Sequence, residues 1–566
     1  MPQVSAHDRQ MTPEQKALRN KVLSTFKAMG FTYRKTDFKH IDLGFRDIEV
    51  DAIFAYENVF IICEDTISTD TDHLRTKNDS MQRIIANKGD FFRIMDEKID
   101  GFSQLHENYE IERIKLFYIH ICGRKYTYSQ REINEFPDMK LWGKKDIDYF
   151  KWLSECIHYS ARFELFRYLG LAKCDIGTIQ STINVTPAQA PIIYPQNFTG
   201  PIQGCRVVTF MLSAKELIEM SYVLRKDGWA TQLGLYQRLI DKTKMRRIRE
   251  YIVHNKSSFF NNIIVVLPSD ATIIDSQRTN RTISEIAANA QEAGLSLLLP
   301  YEYNSICLID GQHRVYAYHE GGSRDDIVRP LRNERHLLVT GVQFPSDMEE
   351  GERLKLQSRI FLDINKNAKP ISADLLISIQ KLLDPLADSS LAQDVLSCMN
   401  EHGVFTNQFQ KTTLDSHGIK TASIIKFALK YVVAIDNENN DESLIHYWDG
   451  DKSALKRNNL DARKAYISFC VECLNKYFSG VKQAWQVHWD TENHSTLLPS
   501  VVTINGCLIA YRKQLKVNGI QDVVFFKNKF SQWQKGFSRS DFEYRSSQYG
   551  RFADDLLKTV FGIDVD

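Results

Sequence analysis

No uninterrupted apolar run in these 566 residues is long enough to cross a bilayer, and the opening "MPQVSAHDRQMTPEQ" has no apolar core of signal-peptide length. A span needs about 20 apolar residues, so a cytoplasmic protein with no membrane partner is expected. Charge of one sign is also lacking. Lys+Arg 72 against Asp+Glu 71 leaves a net charge of +1, so affinity for nucleic acid has to come from local basic patches. The ten cysteines are scattered, and only Cys470 and Cys473 lie close, inside "RKAYISFCVECLNKYF". A lone CxxC on a helix falls short of the four ligands of a structural zinc site, so neither a cysteine–metal site nor a disulfide is expected. Internal repeats and low-complexity tracts are missing too.

What is present is the composition of a folded protein, 43% hydrophobic and 25% charged. Single cores stop growing at about 250–300 residues, which implies two or three domains. Proline is sparse, yet positions 187, 191, 195 and 201 fall within "STINVTPAQAPIIYPQNFTGPIQG". That spacing forbids a helix and favours an extended linker over 181–204. The linker divides the chain into 1–180, 205–376 and 377–566.

In the first part, "TPEQKALRNKVLSTFKAMG" carries Thr12 as N-cap, Pro13 at the first helical position and Gln15 closing a capping box, and it stops at Gly30. Strands over Ile48–Tyr56 and Val59–Asp65, turned at Glu57-Asn58, follow, then helix Ser80–Lys98, strand "RIKLFYIHIC" and helix Ile147–Leu169. In the second part, "VVTFML", "NIIVVLP", "SICLID" and "HLLVTGVQF" read as strands between helices such as "QRLIDKTKMRRIREYIVHN". Past about Ser372 the chain reads as mostly helical. The fold class is α/β, mixed α+β.

The chemistry concentrates in "NSICLIDGQHRVYAYHEGG". The strand delivers the chain to Asp310, and the helix that follows makes Gly311 a strand-to-helix corner, where free backbone N–H groups favour anions. Gly311 admits close approach of a ligand, and Asp310 either caps the helix or holds Mg²⁺ beside a phosphate. His313 and Arg314 put positive charge in a first helical turn, against the macrodipole, a conflict that a bound phosphate removes. The bland alternative is a capped turn with Arg314 paired to a surface carboxylate.

"LIDGQHRVYAY" resembles the motif of the DGQHR-domain family, which includes the DndB proteins of DNA phosphorothioation systems and is similar to the ParB/sulfiredoxin group. "YQRLIDKTKMRRIREYI" resembles the family's upstream Gln-Arg helix, and "IFLDINKNAKPIS" its downstream Phe-x-x-Ile-Asn block. The resemblance implies a nucleotide-binding, NTP-hydrolysing component of a DNA-modification or phage-defence system, with ATP or another NTP and Mg²⁺ as cofactors. Its partners would be DNA and other proteins of the same operon, with homo-oligomers a further option. It implies nucleotide contacts by Asp310, Gly311, Gln312, His313, Arg314, Gln237, Arg238 and Asn365, with Gln312 or His313 orienting water in catalysis by Asp310, Gln312, His313 and Arg314. Asn367 serves a turn before Pro370 or the nucleotide. Lys242, Lys244, Arg246, Arg247 and Arg249 are either a solvated face or a DNA-binding patch. A DNA-binding transcriptional regulator without catalysis is the competing reading.

"EVDAIFAYENVFIICEDT" resembles the PD-(D/E)xK nuclease core, a restriction-endonuclease-like fold. That resemblance makes Asp51 and Glu64 catalytic Mg²⁺ ligands, with Glu14 as a third acid. Thr66 stands where the family has lysine, so either Lys77 reaches back from the following segment or the site is inactive and kept as a DNA-binding or docking platform.

Overall fold

The Thr12 hydroxyl accepts the Gln15 N–H at 3.2 Å while the Gln15 side chain accepts the Thr12 N–H at 2.9 Å, and this reciprocal box starts helix Pro13–Ala28. The computed structural model describes residues 11–36, 40–42, 47–177, 185–189, 192–193, 205–225, 228–229, 237, 239–256, 259, 261–274, 280–282, 296–300, 302–365, 373–410, 415, 418–490, 496–545 and 547–564. Over them the architecture is mixed α+β, as the patterning predicts. Two compact units form, Met1–Gln232 with Gln237–Ile364, and Leu233–Tyr236 with Asn365–Asp566.

In the first unit, Leu18, Val22 and Phe26 of the opening helix are buried. The helix lies on a sheet ordered Thr32–Lys35, Ala52–Tyr56, Val59–Thr66, Lys115–Cys122, Met139–Trp142. The first three strands are antiparallel neighbours and the last two add in parallel. Three expectations change. The strand expected over 48–56 is interrupted at Asp51, and its first part pairs as Asp47–Glu49 with His40–Asp42. The helix expected over 80–98 is two, Thr71–Ala86 and Lys88–Lys98, because Asn87 takes a non-helical ψ of 41° and Asp70 caps an earlier start by accepting the Asp72 N–H at 3.0 Å. The helix expected over 147–169 divides into Lys144–Ile157 and Ala161–Leu169, with His158 at φ 44° in the joint.

The same unit holds a six-stranded sheet ordered Ser221–Tyr222, Ile306–Asp310, Ile263–Val266, His336–Gln343, Arg206–Ser213, Ile192–Ile193. A four-stranded sheet joins Val185–Gln189 to Ser296–Pro300, so the described parts of the proline-rich stretch are strands. The basic helix runs Lys242–Asn255, five residues later than the pattern from Gln237 predicts. Asp241 sets that start by accepting the N–H groups of Thr243 at 2.9 Å and Lys244 at 3.0 Å.

The second unit is helical, and its core is built on Leu460–Ala484, Val501–Asn518 and Val523–Phe530. Tyr477 meets Tyr511 with ring centroids 4.6 Å apart and donates its hydroxyl to the Cys507 carbonyl at 2.8 Å. Cys470 and Cys473 are free thiols in this core, their pKa values raised by burial. Among the described residues, no helix is long and apolar enough to cross a membrane.

Candidate functional site

Strand Ile306–Asp310 is buried between neighbours over most of its length and releases the chain at Asp310. Gly311 follows at φ +98°, a left-handed conformation that costs an L residue about 1–2 kcal/mol. A Cβ there would lie 2.5 Å from Ile263 Cδ1 and 3.2 Å from Arg314 Nη2. Glycine is therefore demanded by the protein's own packing, a different reason from the ligand approach expected of it. Asp310 makes no cap to helix Gln312–Tyr316. Its Oδ2 instead accepts from Arg314 Nη2 at 2.7 Å, with the side chains 38% and 18% exposed. The macrodipole conflict at Arg314 is thus met by a carboxylate one turn away.

His313 and Gln237 tie this corner to its surroundings. His313 Nε2 accepts the Asp241 N–H at 3.0 Å, so the imidazole holds the residue that caps the basic helix. Gln237 is buried and donates through Nε2 to the Leu308 carbonyl on the corner strand. Gln312 is buried as well. Asn365 is the last residue of helix Glu350–Asn365 and belongs to the second unit, while Arg238 and Asn367 lie outside the described residues.

The five cations of the basic helix separate into distinct roles. Lys244, Arg246 and Arg247 are exposed, and Arg246 lies 3.9 Å from the Glu250 carboxylate. Lys242 is exposed but pairs with Glu155. Arg249 leaves the expected DNA-facing set. It points inward, donating to the carbonyls of Ser323 at 2.9 Å, Ala317 at 3.0 Å and His319 at 2.8 Å, and burial holds its guanidinium down to about 10. Tyr251 is exposed on the same helix and stacks on Phe259 at 5.6 Å.

In the N-terminal sheet, Asp51 receives Arg19 Nη2 at 2.9 Å and the Asp65 N–H at 2.9 Å, and Arg19 also pairs with Asp65. Lys77 does reach back, forming an ion pair with Glu64. Burial, then the Asp51 charge, pushes the Glu64 carboxyl up to about 8. Glu14 stays apart, held at the surface by Arg124. Thr66 is buried and accepts the Ser68 N–H at 3.0 Å. Two histidines join the cluster unforeseen. Strand register sets His120 beside Glu64, with Tyr128 Oη 3.2 Å from its Nδ1 and the His73 ring 5.6 Å away. The one signal in the sequence is a histidine inside the apolar strand "KLFYIHIC". Among the described residues, no three His, Cys, Asp or Glu side chains are arranged to hold a metal. Arg19 and Lys77 occupy the carboxylates of the Asp51–Glu64 pair.

This cluster makes stability pH-dependent in two directions. Glu64, raised by burial from its ordinary 4.5 to about 8, gives stability that is complete below 4.5 and lost as pH rises through 8. His120, lowered by burial from 6.5 to about 3, gives stability that is complete above 6.5 and lost as pH falls toward 3. The two slopes cancel between pH 4.5 and 6.5, which is where melting temperature should plateau. Melting curves from about pH 3 to 9 should lose their alkaline decline in Glu64→Gln and their acid decline in His120→Asn. Unchanged profiles would remove these groups as the cause.

The corner, Gln237 and the basic helix all fall within one stretch that matches a family model. Residues 199–468 match the family model DndB, DNA-sulfur modification-associated. The DndB match covers just under half the chain and begins after the N-terminal sheet. No curated protein and no solved structure matches the chain.

Proposed function

We propose that this chain is a DNA-binding component of a DNA phosphorothioate-modification system, acting in the cytoplasm with other proteins of that system. The observation that carries the reading is the exposed triad Lys244, Arg246 and Arg247 on a helix whose capping residue is gripped by His313 of the DGQHR corner. The DndB match over 199–468 supplies the setting. The triad contacts backbone phosphates, which gives affinity without sequence preference.

At the corner we place a nucleoside triphosphate with Mg²⁺. The half-exposed Asp310 carboxylate and the Arg314 fork are a donor set that fits both. Asp310 would hold the ion and Arg314 would turn from Asp310 to phosphate oxygens. The bound ion would supply charge neutralisation at the phosphates. Any change at His313 then acts on the start of the basic helix, so nucleotide and DNA binding are coupled through one hydrogen bond.

The test is fluorescence anisotropy of a labelled duplex across a salt series, beside ATP and GTP binding and turnover. Lys244→Ala/Arg246→Ala/Arg247→Ala should weaken duplex binding at least about tenfold and flatten the log–log salt slope by about 3. Arg314→Ala should lose nucleotide and keep basal DNA affinity. Unchanged duplex binding in the triple variant overturns the DNA surface. A wild type that neither binds nor turns over nucleotide removes the nucleotide and leaves the DNA surface standing.

A further inference from the structure

A cleft of about 730 Å³ opens in the first unit, where edge strand Met139–Trp142 meets helices Lys144–Ile157 and Ala161–Leu169. Three aromatic side chains line it, Tyr128, Tyr168 and Trp229, together with three cations, Lys140, Lys145 and Arg167. Trp229 meets Tyr168 edge to face at 5.1 Å, and among the described residues no aromatic ring stacks on the indole. The Arg167 guanidinium lies 4.1 Å over the Tyr222 ring and 5.7 Å over the Trp229 ring, so it is held at the cleft wall by ring faces.

The charge balance of the lining is one-sided. Asp146 is its single carboxylate, and it accepts the Gly143 N–H at 2.9 Å. Burial pushes that carboxyl up to about 6, so it keeps its charge at neutral pH and is outnumbered by the three cations of the lining. Surface lysines are ordinarily solvated singly, and surface aromatics ordinarily pack on a neighbour. Here both kinds converge on one concavity. Flat apolar walls with positive charge at the rim are what a planar ring carrying an anion requires, because every base has a π-face and every nucleotide a phosphate.

We infer that this cleft binds an unpaired nucleotide, with its base against Trp229 and Tyr168 and its phosphate among Lys140, Lys145 and Arg167. The source is either a free nucleotide or one residue of a single strand. The duplex surface on the basic helix is separate from it, so this inference does not depend on the function proposed above. Tyr128 gives the cleft a second consequence. Its hydroxyl touches His120, the neighbour of Glu64, so an occupant resting on Tyr128 sits one side chain from the buried acidic cluster.

The full-length chain is titrated with a deoxynucleoside monophosphate, a labelled ten-nucleotide single strand and the same sequence as a blunt duplex. Wild type should bind the mononucleotide or the single strand. Trp229→Ala should weaken that binding about tenfold, within the range for loss of one stacked base, and Trp229→Phe should keep most of it. Lys145→Glu should weaken it and reduce its salt dependence. Mononucleotide binding that Trp229→Ala weakens identifies a free-nucleotide site in the cleft, and strand binding alone that Trp229→Ala weakens identifies a single-strand site. The inference is overturned if wild type binds neither probe, or if Trp229→Ala and Lys145→Glu both bind as wild type does.

Discussion

Arg249→Ala should lower stability by about 2 kcal/mol, whereas Arg247→Ala, two residues earlier, should stay within about 0.5 kcal/mol of wild type. Both are arginines of one basic run, and burial separates them. Arg249 donates to three carbonyls and to Asp325 Oδ1 at 3.3 Å. Truncation does not orphan all of these. Arg332 also donates to the His319 carbonyl, at 2.9 Å, and pairs with Asp325, so those two acceptors keep a partner. The carbonyl of fully buried Ala317 loses its partner, while that of exposed Ser323 can turn to water. Each buried acceptor left unmade costs about 1–3 kcal/mol, and the emptied volume adds to that. Relief of Arg249's own burial and of repulsion from Arg332 offsets part, which places the net near the lower end. Arg249→Lys should not rescue, since one ammonium cannot replace a fork spread over four acceptors. Urea denaturation of the three variants checks this, and an Arg249→Ala curve that overlays wild type would show that the network contributes nothing.

The contrast at 247 and 249 also shows what local sequence conveys. Capping is chemistry between residues three apart, so the box at Thr12 and Gln15 could be read directly and the structure forms it. Strands such as Val59–Thr66 and Lys115–Cys122 could be read from apolar runs. A charge run gives no such information, because which cation turns inward depends on carbonyls some 70 residues away. The DGQHR corner was legible as a strand-to-helix turn. Its internal bonding was not, because Asp310 could accept from backbone amides or from Arg314, and the sequence holds both acceptable partners. Gln237 reads as helical by pattern, yet it sits in a bridge with Arg225 because its amide is taken by the Leu308 carbonyl. The cluster around Glu64 was half visible. Asp51, Glu64 and Lys77 were found from a resemblance, while His73 and His120 enter through strand register and helix placement, which are set by tertiary structure.

Glu164→Ala should destabilise the first unit by about 3–5 kcal/mol, the range for removing one partner of a buried ion pair. Arg225 is 2% exposed. Its Nη1 pairs with Glu164 and donates to the Tyr149 hydroxyl at 3.0 Å, and that hydroxyl in turn donates to Glu164. Among the described residues, Arg225 Nε and Nη2 have no hydrogen-bond partner, so Glu164 is the counter-charge that makes a buried guanidinium tolerable. Taking it away strands the cation. Taking both away does not, and Glu164→Leu/Arg225→Met should recover most of the loss, since an ion pair replaced by apolar groups of similar volume is often neutral. The coupling should barely change between low and high salt, unlike that of an exposed pair such as Glu14–Arg124. A double-mutant cycle by urea denaturation measures it, and additive losses would refute the pairing. The cycle also bears on the site. Tyr149 and Glu164 come from the N-terminal segment, Arg225 from the segment after it, and the Arg225 guanidinium lies 5.7 Å over the Tyr316 ring of the corner helix. One buried charge pair therefore holds the N-terminal sheet's helices to the element that presents His313 and Arg314. Glu164→Gln, which removes the charge and keeps an acceptor for Tyr149, should lose less stability than Glu164→Ala.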